Sequence, residues 1–193
     1  TDVTDEDAVA ALFTSHRPFD IVIANAGAAE SAPLARTSLG QWQRMIDVNL
    51  TGTFLTLREA QRVIGKASWG RLIAIASTAG LKGYGYVAPY CAAKHGVVGL
   101  IRALASETAG SGITANAVCP GFTDTPLLEE SIANIVKKTG KSEADARKAL
   151  ASTNPLGRFI APEEVAAAVL WLVGPGSDAI TGQAISVSGG ETW

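Results

Sequence analysis

Short apolar runs alternate with longer stretches of helical periodicity along this chain. Phe19–Ala24, Arg71–Ala76, Ile113–Val118 and Ala184–Val187 are mostly continuous apolar runs, the pattern of strands buried on both faces. The intervening stretches predict helices. One is expected over 5–16, with Thr4 as its cap, acids in its first turn, and Val9, Leu12 and Phe13 as its apolar stripe. Ser38 can cap a long helix through residue 64, with Trp42, Met45, Ile46, Leu50 and Phe54 at helical spacing. A further helix runs from about Pro89 to Ala109 and is closed by Gly110. Pro120-Gly121 breaks the pattern; helices over 126–139 and 142–151 follow, separated by Gly140, and a last one runs from Pro162 to Val173. Strands alternating with helices indicate βαβ units and a parallel sheet, an α/β layer structure. No repeat or linker divides residues 1–193, which read as one domain.

Composition narrows the class without naming a reaction. The chain has 193 residues, 47% hydrophobic and 18% charged, and a formal net charge of −2. That balance suits a compact globular protein and carries no electrostatic footprint for nucleic acid. Cys91 and Cys119 lie in apolar runs without CxxC spacing and read as reduced thiols of a cytoplasmic protein. His16 and His95 have no ligand-spaced partners, so no metal is expected. No apolar run approaches the ~20 residues that cross a bilayer, so no membrane partner is expected.

The strongest chemical signal is Tyr90-Cys91-Ala92-Ala93-Lys94 at the start of a helix. Residues four apart share a helical face, and an ammonium beside a phenol favours phenolate. A tyrosine so placed can act as acid or base near neutral pH. YxxxK alone is a short motif with many accidental occurrences. Its context is more specific. Ser77 follows the Arg71–Ala76 strand, and ligands of parallel α/β sheets bind beyond the carboxyl ends of strands. Asn49 sits amid apolar residues in the middle of the long helix, a poor place for asparagine unless its amide holds a water against disturbed backbone.

Taken together, Asn25-Ala26-Gly27 after a strand, Asn49, Ser77, Tyr90-x-x-x-Lys94 and Pro120-Gly121 with Thr125 resemble the short-chain dehydrogenase/reductase family in order and spacing. The likeness extends from Asp2 to Val187-Ser188-Gly189-Gly190. It implies a Rossmann-like, doubly wound fold and hydride transfer between NAD or NADP and a carbonyl/alcohol pair. By the same resemblance Tyr90 is the acid/base and Ser77 donates to the substrate oxygen. Lys94 lowers the tyrosine pKa and holds the nicotinamide ribose, while Asn49 keeps a proton-relay water. Asn25, Ala26 and Gly27 lie along the adenosine portion, and Asp2 and Val3 contact adenine. Pro120, Gly121, Phe122 and Thr125 hold the nicotinamide carboxamide. Departures from the family pattern are Ala24 before Asn25 and the absence of the glycine-rich TGxxxGxG turn that places pyrophosphate at a helix N-terminus. The resemblance implies about 50–60 residues ahead of Thr1, so the sheet is N-terminally incomplete in this chain. A polypeptide of residues 1–193 alone is expected neither to bind NAD(P) tightly nor to turn over.

Substrate contacts are expected from Ser77, Tyr90, Phe122 and Leu127, with Leu128 beside them and Leu81, Tyr84 and Tyr86 on a second wall. Asn154-Pro155-Leu156-Gly157-Arg158-Phe159 and Thr181-Gly182-Gln183 resemble the 3-oxoacyl-thioester reductase and 3-hydroxyacyl dehydrogenase branch. Lys137, Lys138, Lys141, Arg147 and Lys148 could draw a CoA- or carrier-linked substrate. Family resemblance further implies a homotetramer. Two other classes stay open: a non-catalytic fragment or scaffold, and a Ser77/Lys94 hydrolase, which would leave Tyr90 and Asn49 without roles.

Overall fold

The computed structural model describes residues 1–16, 19–64 and 68–192. Helix α1 spans Glu6–Ser15, and its cap is Asp5, whose side chain accepts from the Ala8 N–H at 3.0 Å. Thr4 was the expected cap; its hydroxyl instead donates to Asp2 Oδ1 at 2.8 Å. Strand β1, Ile21–Ala24, begins later than the apolar run. Phe19 lies ahead of it, packed edge-on against Phe13 with ring centroids 5.4 Å apart.

The long helix expected over 38–64 is interrupted. Helix α2 covers Leu39–Ile46, a π-turn covers Asp47–Thr51, and α3 covers Gly52–Ile64. Ser38 caps α2 in a reciprocal capping box with Gln41. Strand β2 (Gly70–Ile75), helix α4 (Ala88–Glu107) and strand β3 (Ile113–Pro120) follow. Helix α5 (Pro126–Thr139) stops on Gly140 at φ +69°, a left-handed cap that glycine adopts without a Cβ clash. Helices α6 (Glu143–Ala151) and α7 (Pro162–Val173) lead to β4 (Ala184–Val187). The 3-10 turns at Leu34–Arg36 and Thr78–Gly80 had no sequence signature, because three residues carry no period.

The strands form one parallel sheet in the order β1-β2-β3-β4. Ala24 stands opposite Ala74, Ala74 opposite Ala117, and Pro120 opposite Val187, so the carboxyl ends of the strands share one edge. One face of the sheet packs on α1, α3 and α4 through Val9, Phe13, Leu57, Leu72, Val97 and Ile101. The other face packs on α7, through Ile73, Val118, Val169 and Leu172. Helices on both faces make this the doubly wound arrangement expected. A third cluster, Leu128, Ile132 and Ala146, holds α5 to α6. Ile21 and Ile23 on the edge strand β1 share the face of Ile73, where α7 packs over β2, β3 and β4, and remain 40% and 43% exposed. No helix among the described residues is long and apolar enough to cross a membrane. Nor do they hold a group of three or more His, Cys, Asp or Glu able to bind a metal.

Candidate active site

Three elements meet at the carboxyl end of β2. Ser77 follows that strand in extended conformation and caps the Thr78–Gly80 turn, its Oγ accepting from the Ala79 N–H at 3.1 Å. The turn lies directly on α4: a Cβ added to Gly80 would stand 2.6 Å from the Lys94 carbonyl oxygen. Glycine at position 80 therefore sets how closely the serine turn approaches the helix that carries Tyr90 and Lys94. Gly80→Ala is expected to cost about 2–3 kcal/mol by overpacking against unyielding backbone, read as a lower urea midpoint with an unchanged slope. A cost below about 0.5 kcal/mol would mean that the contact is not tight.

Tyr90 and Lys94 share one face of α4, with Lys94 Nζ 5.6 Å from the Tyr90 ring centroid. Lys94 is buried, 3% exposed, and its ammonium donates to the Ile75 carbonyl at 2.9 Å. Burial depresses its pKa to about 8. Tyr90 moves the other way. Burial pushes its phenol above the usual value, and the nearby Ser77 hydroxyl acts against that rise by favouring phenolate. Desolvation is the largest cause for both groups, and Lys94 does not figure among the causes of the Tyr90 shift. Cys119, fully buried beneath the site, is pushed up to about 11 and stays a thiol.

Asn49 lies in the π-turn and is completely buried. Its Nδ2 donates to the carbonyls of Ala28 at 2.9 Å and Met45 at 3.0 Å, while Oδ1 accepts from the Ala28 N–H at 3.2 Å. The widened turn and the amide explain one another: the side chain takes up backbone groups that a regular ladder would use. Gly27 completes this corner. A Cβ there would lie 3.1 Å from Asn49 Oδ1 and 3.6 Å from Lys94 Nζ, so glycine lets the turn after β1 close over both side chains. Asn49, Gly27, Lys94, Tyr90 and Ser77 are thus brought together.

The candidate cofactor contacts lie on either side. Asn25 and Ala26 line an open groove of about 360 Å³ together with Thr1, Val3 and Thr53. Val3 packs on Gly52, where a Cβ would come 2.7 Å from Val3 Cγ2. Asp2 Oδ1 accepts from the Thr4 N–H at 2.9 Å, which holds its carboxyl below the usual range. Val9, Leu12, Phe13 and Ile23 make the rest of the groove's wall largely apolar. Pro120 ends β3, and the Gly121 N–H to Val187 O bond at 3.0 Å carries the pairing with β4 one residue further. Thr125 caps α5 and donates from Oγ1 to Thr123 O at 3.2 Å.

The candidate substrate walls divide. Leu127 is partly exposed, whereas Leu128 is a buried member of the cluster joining α5 to α6, with Phe122 packed against it. Leu81 packs against the main core. Tyr84 meets Phe122 edge-on at 6.1 Å, and Tyr86 is 69% exposed at φ +68°. Of the residues that shape this site, sequence reasoning missed Gly80; a glycine inside a loop gives no signal of what it touches. A serine nucleophile needs its base within hydrogen-bond reach. The Lys94 ammonium bonds the Ile75 carbonyl instead, which counts against the hydrolase alternative.

A parallel sheet with tyrosine, lysine, serine and a π-turn asparagine gathered at its carboxyl edge is an arrangement for proton and hydride exchange at a carbonyl. The chain belongs to the short-chain dehydrogenase/reductase family, and it is an NAD(P)-dependent oxidoreductase of a carbonyl/alcohol pair. The family model described as enoyl-(acyl carrier protein) reductase matches residues 1–192. A putative ketoacyl reductase of Streptomyces coelicolor is 38% identical over 187 residues, covering 96% of this chain and 72% of the relative. Cis-4-hydroxycyclohexanecarboxylate dehydrogenase of Sinomonas cyclohexanicum is 39% identical over 197 residues, covering 100% of this chain and 75% of that protein. Among solved structures, a variant of actinorhodin polyketide ketoreductase with NADPH superposes at TM-score 0.94 and 36% identity, over 98% of this chain and 75% of the other.

Proposed function

We propose that this chain interconverts the 3-keto and 3-hydroxy forms of an acyl substrate, with Tyr90 as the acid/base. The observation that carries this reading is the gathering of Ser77, Tyr90 and buried Lys94 at the end of β2. The names of the ketoacyl reductase relative and of the polyketide ketoreductase support the substrate class. NAD(P) supplies the hydride when bound. In carbonyl reduction Tyr90 gives its proton to the substrate oxygen, and Ser77 donates a hydrogen bond to that oxygen as charge develops. Lys94 would hold the nicotinamide ribose, and Asn49 with the Ala28 backbone would keep a water through which protons are resupplied. Asp2, Val3, Asn25, Ala26 and Gly27 would line the adenosine, and Pro120, Gly121, Phe122 and Thr125 the nicotinamide. Leu127 and Phe122 would flank the acyl group.

The complete enzyme is expected to oxidise NADH or NADPH saturably with acetoacetyl-CoA. Reduction of simple ketones with no turnover of any 3-oxoacyl thioester would remove the acyl assignment and leave the oxidoreductase. The basic stretch gives modest support for a CoA or carrier group. Arg147 is neutralised by Glu129 and Glu143, and Lys138 is tied to Ser31 O at 2.5 Å.

Residues 1–193 form a single domain in this reading, the catalytic portion of a Rossmann-like fold. The reading extends to a cytoplasmic homotetramer. Phe54 on α3 is 40% exposed beside a groove that α3 and α4 share, and Leu170 and Trp171 on α7 are 67% and 51% exposed. Such apolar surfaces suit subunit contacts.

A further inference from the structure

Glu191, just past β4, is a carboxylate the chemistry above does not use, and its side chain is 1% exposed. Its Oε1 takes two partners: the Tyr84 hydroxyl at 2.6 Å and Lys82 Nζ at 3.1 Å. The same Tyr84 oxygen lies 2.7 Å from Thr78 Oγ1. A phenol has one proton, and a carboxylate can only accept. Tyr84 therefore donates to Glu191, and the Thr78 hydroxyl donates to Tyr84. Burial and the carboxylate both push the Tyr84 phenol up, which keeps it a donor, while Thr78 acts the opposite way. Thr78 is the residue after Ser77, and its carbonyl accepts from the Lys82 N–H at 2.9 Å. The chain Glu191–Tyr84–Thr78 thus ends on the backbone that aims the Ser77 hydroxyl.

Glu191 also faces the second loop of the site. Its Oε2 has no hydrogen-bond partner among the described residues, and a Cβ at Gly121 would stand 3.0 Å from it. Tyr84 packs edge-on against Phe122, the next residue of that loop. One buried carboxylate therefore sits between the Ser77 loop and the Gly121–Phe122 loop that follows β3.

We propose that Glu191 is a positioning residue: through Tyr84 and Thr78 it fixes the Ser77 hydroxyl in register with Tyr90 and the loop that begins at Gly121. This rests on the function proposed above. A merely structural carboxylate would affect stability or cofactor affinity without regard to Ser77. A positioning carboxylate affects turnover, and only while Ser77 has a hydroxyl to aim.

The test is a double-mutant cycle in the complete enzyme. Glu191→Leu is expected to lower kcat by about tenfold to a hundredfold, the scale of an ångström-level misplacement of a catalytic group, with KM and NAD(P)H affinity little changed. Glu191→Gln keeps an oxygen that can accept from Tyr84 and should recover most of the loss. In a Ser77→Ala background, Glu191→Leu should cost less than about twofold, because coupled residues are not additive. Tyr84→Phe cuts the chain at its middle while keeping the ring on Phe122. It should repeat the Glu191→Leu result, and it decides the question by the same cycle if the leucine variant fails to fold. Equal losses with and without the Ser77 hydroxyl, or a loss confined to KM, overturn the proposal. If Ser77→Ala itself leaves kcat unchanged, the underlying catalytic reading fails instead, a result distinguishable from failure of the positioning role.

Discussion

Tyr90→Phe is expected to lower kcat by about a thousandfold, the scale of losing a positioned acid, while NAD(P)H affinity stays nearly constant. The substitution removes one hydroxyl and keeps the ring, so the packing of α4 against the Ser77 turn survives. What is lost is the proton that must reach the substrate oxygen as hydride arrives. Burial pushes this phenol above its ordinary pKa, so it is protonated at neutral pH, and the Ser77 hydroxyl works against that rise. A protonated phenol suits the acid role in carbonyl reduction. The base role in alcohol oxidation is favoured by positive charge nearby, which the Lys94 ammonium supplies 5.6 Å from the ring centroid and the oxidised nicotinamide would add when bound. Single-turnover rates and a fluorescence titration of NADPH separate chemistry from binding. Rates within a few-fold of the parent would take Tyr90 out of the reaction.

Lys94→Met is expected to abolish turnover and yet stabilise the protein at pH 7. Burial lowers the Lys94 pKa from 10.5 to about 8, which corresponds to on the order of 3 kcal/mol of penalty for the charged form. Methionine fills similar space without a charge, but it leaves the Ile75 carbonyl unpaired, at about 1 kcal/mol. A net gain of about 2 kcal/mol remains. The gain depends on pH in a defined direction. Because the folded-state pKa lies below the unfolded value, the unfolded parent holds more protons between about 8 and 10.5, and parent stability rises across that window. Below pH 8 the penalty stands in full. The variant lacks the group, so its advantage should shrink as pH rises through the window. Urea denaturation at pH 7 and pH 10 reads both values. A variant less stable than the parent at pH 7 would mean that the buried ammonium is favourable where it lies.

The order of strands and helices was legible because each element carries its own period and its own stop, as at Ser38, Gly140 and Gly174. Boundaries moved where a neighbour intervened. The cap of α1 is Asp5 because Thr4 is engaged with Asp2, and β1 starts after Phe19 because that ring packs on Phe13. The five motif positions were legible as residue types in order. What was not legible is how charge distributes among them once buried: helical spacing puts Lys94 beside Tyr90 but cannot show that the ammonium ends on Ile75. Arg71 gave still less warning. Read as an ordinary strand residue, it is 1% exposed, its guanidinium bonded to the Gly70 and Gly112 carbonyls and to Asp178 and stacked 4.4 Å over Trp69. Those partners come from three separate parts of the chain, and no local pattern encodes their meeting.

The π-turn at Asp47–Thr51 has a further effect on the rod that contains it. A surplus residue rotates everything beyond it by about 100° relative to an uninterrupted α-helix. The two halves consequently address different neighbours: α2 leans on α4, while α3 rests on α1 and the sheet. A straight rod with a single greasy stripe could serve only one of these. Trp42 and Phe54 fit the summed periodicity of the whole stretch yet stay 38% and 40% exposed, on opposite sides of the phase change.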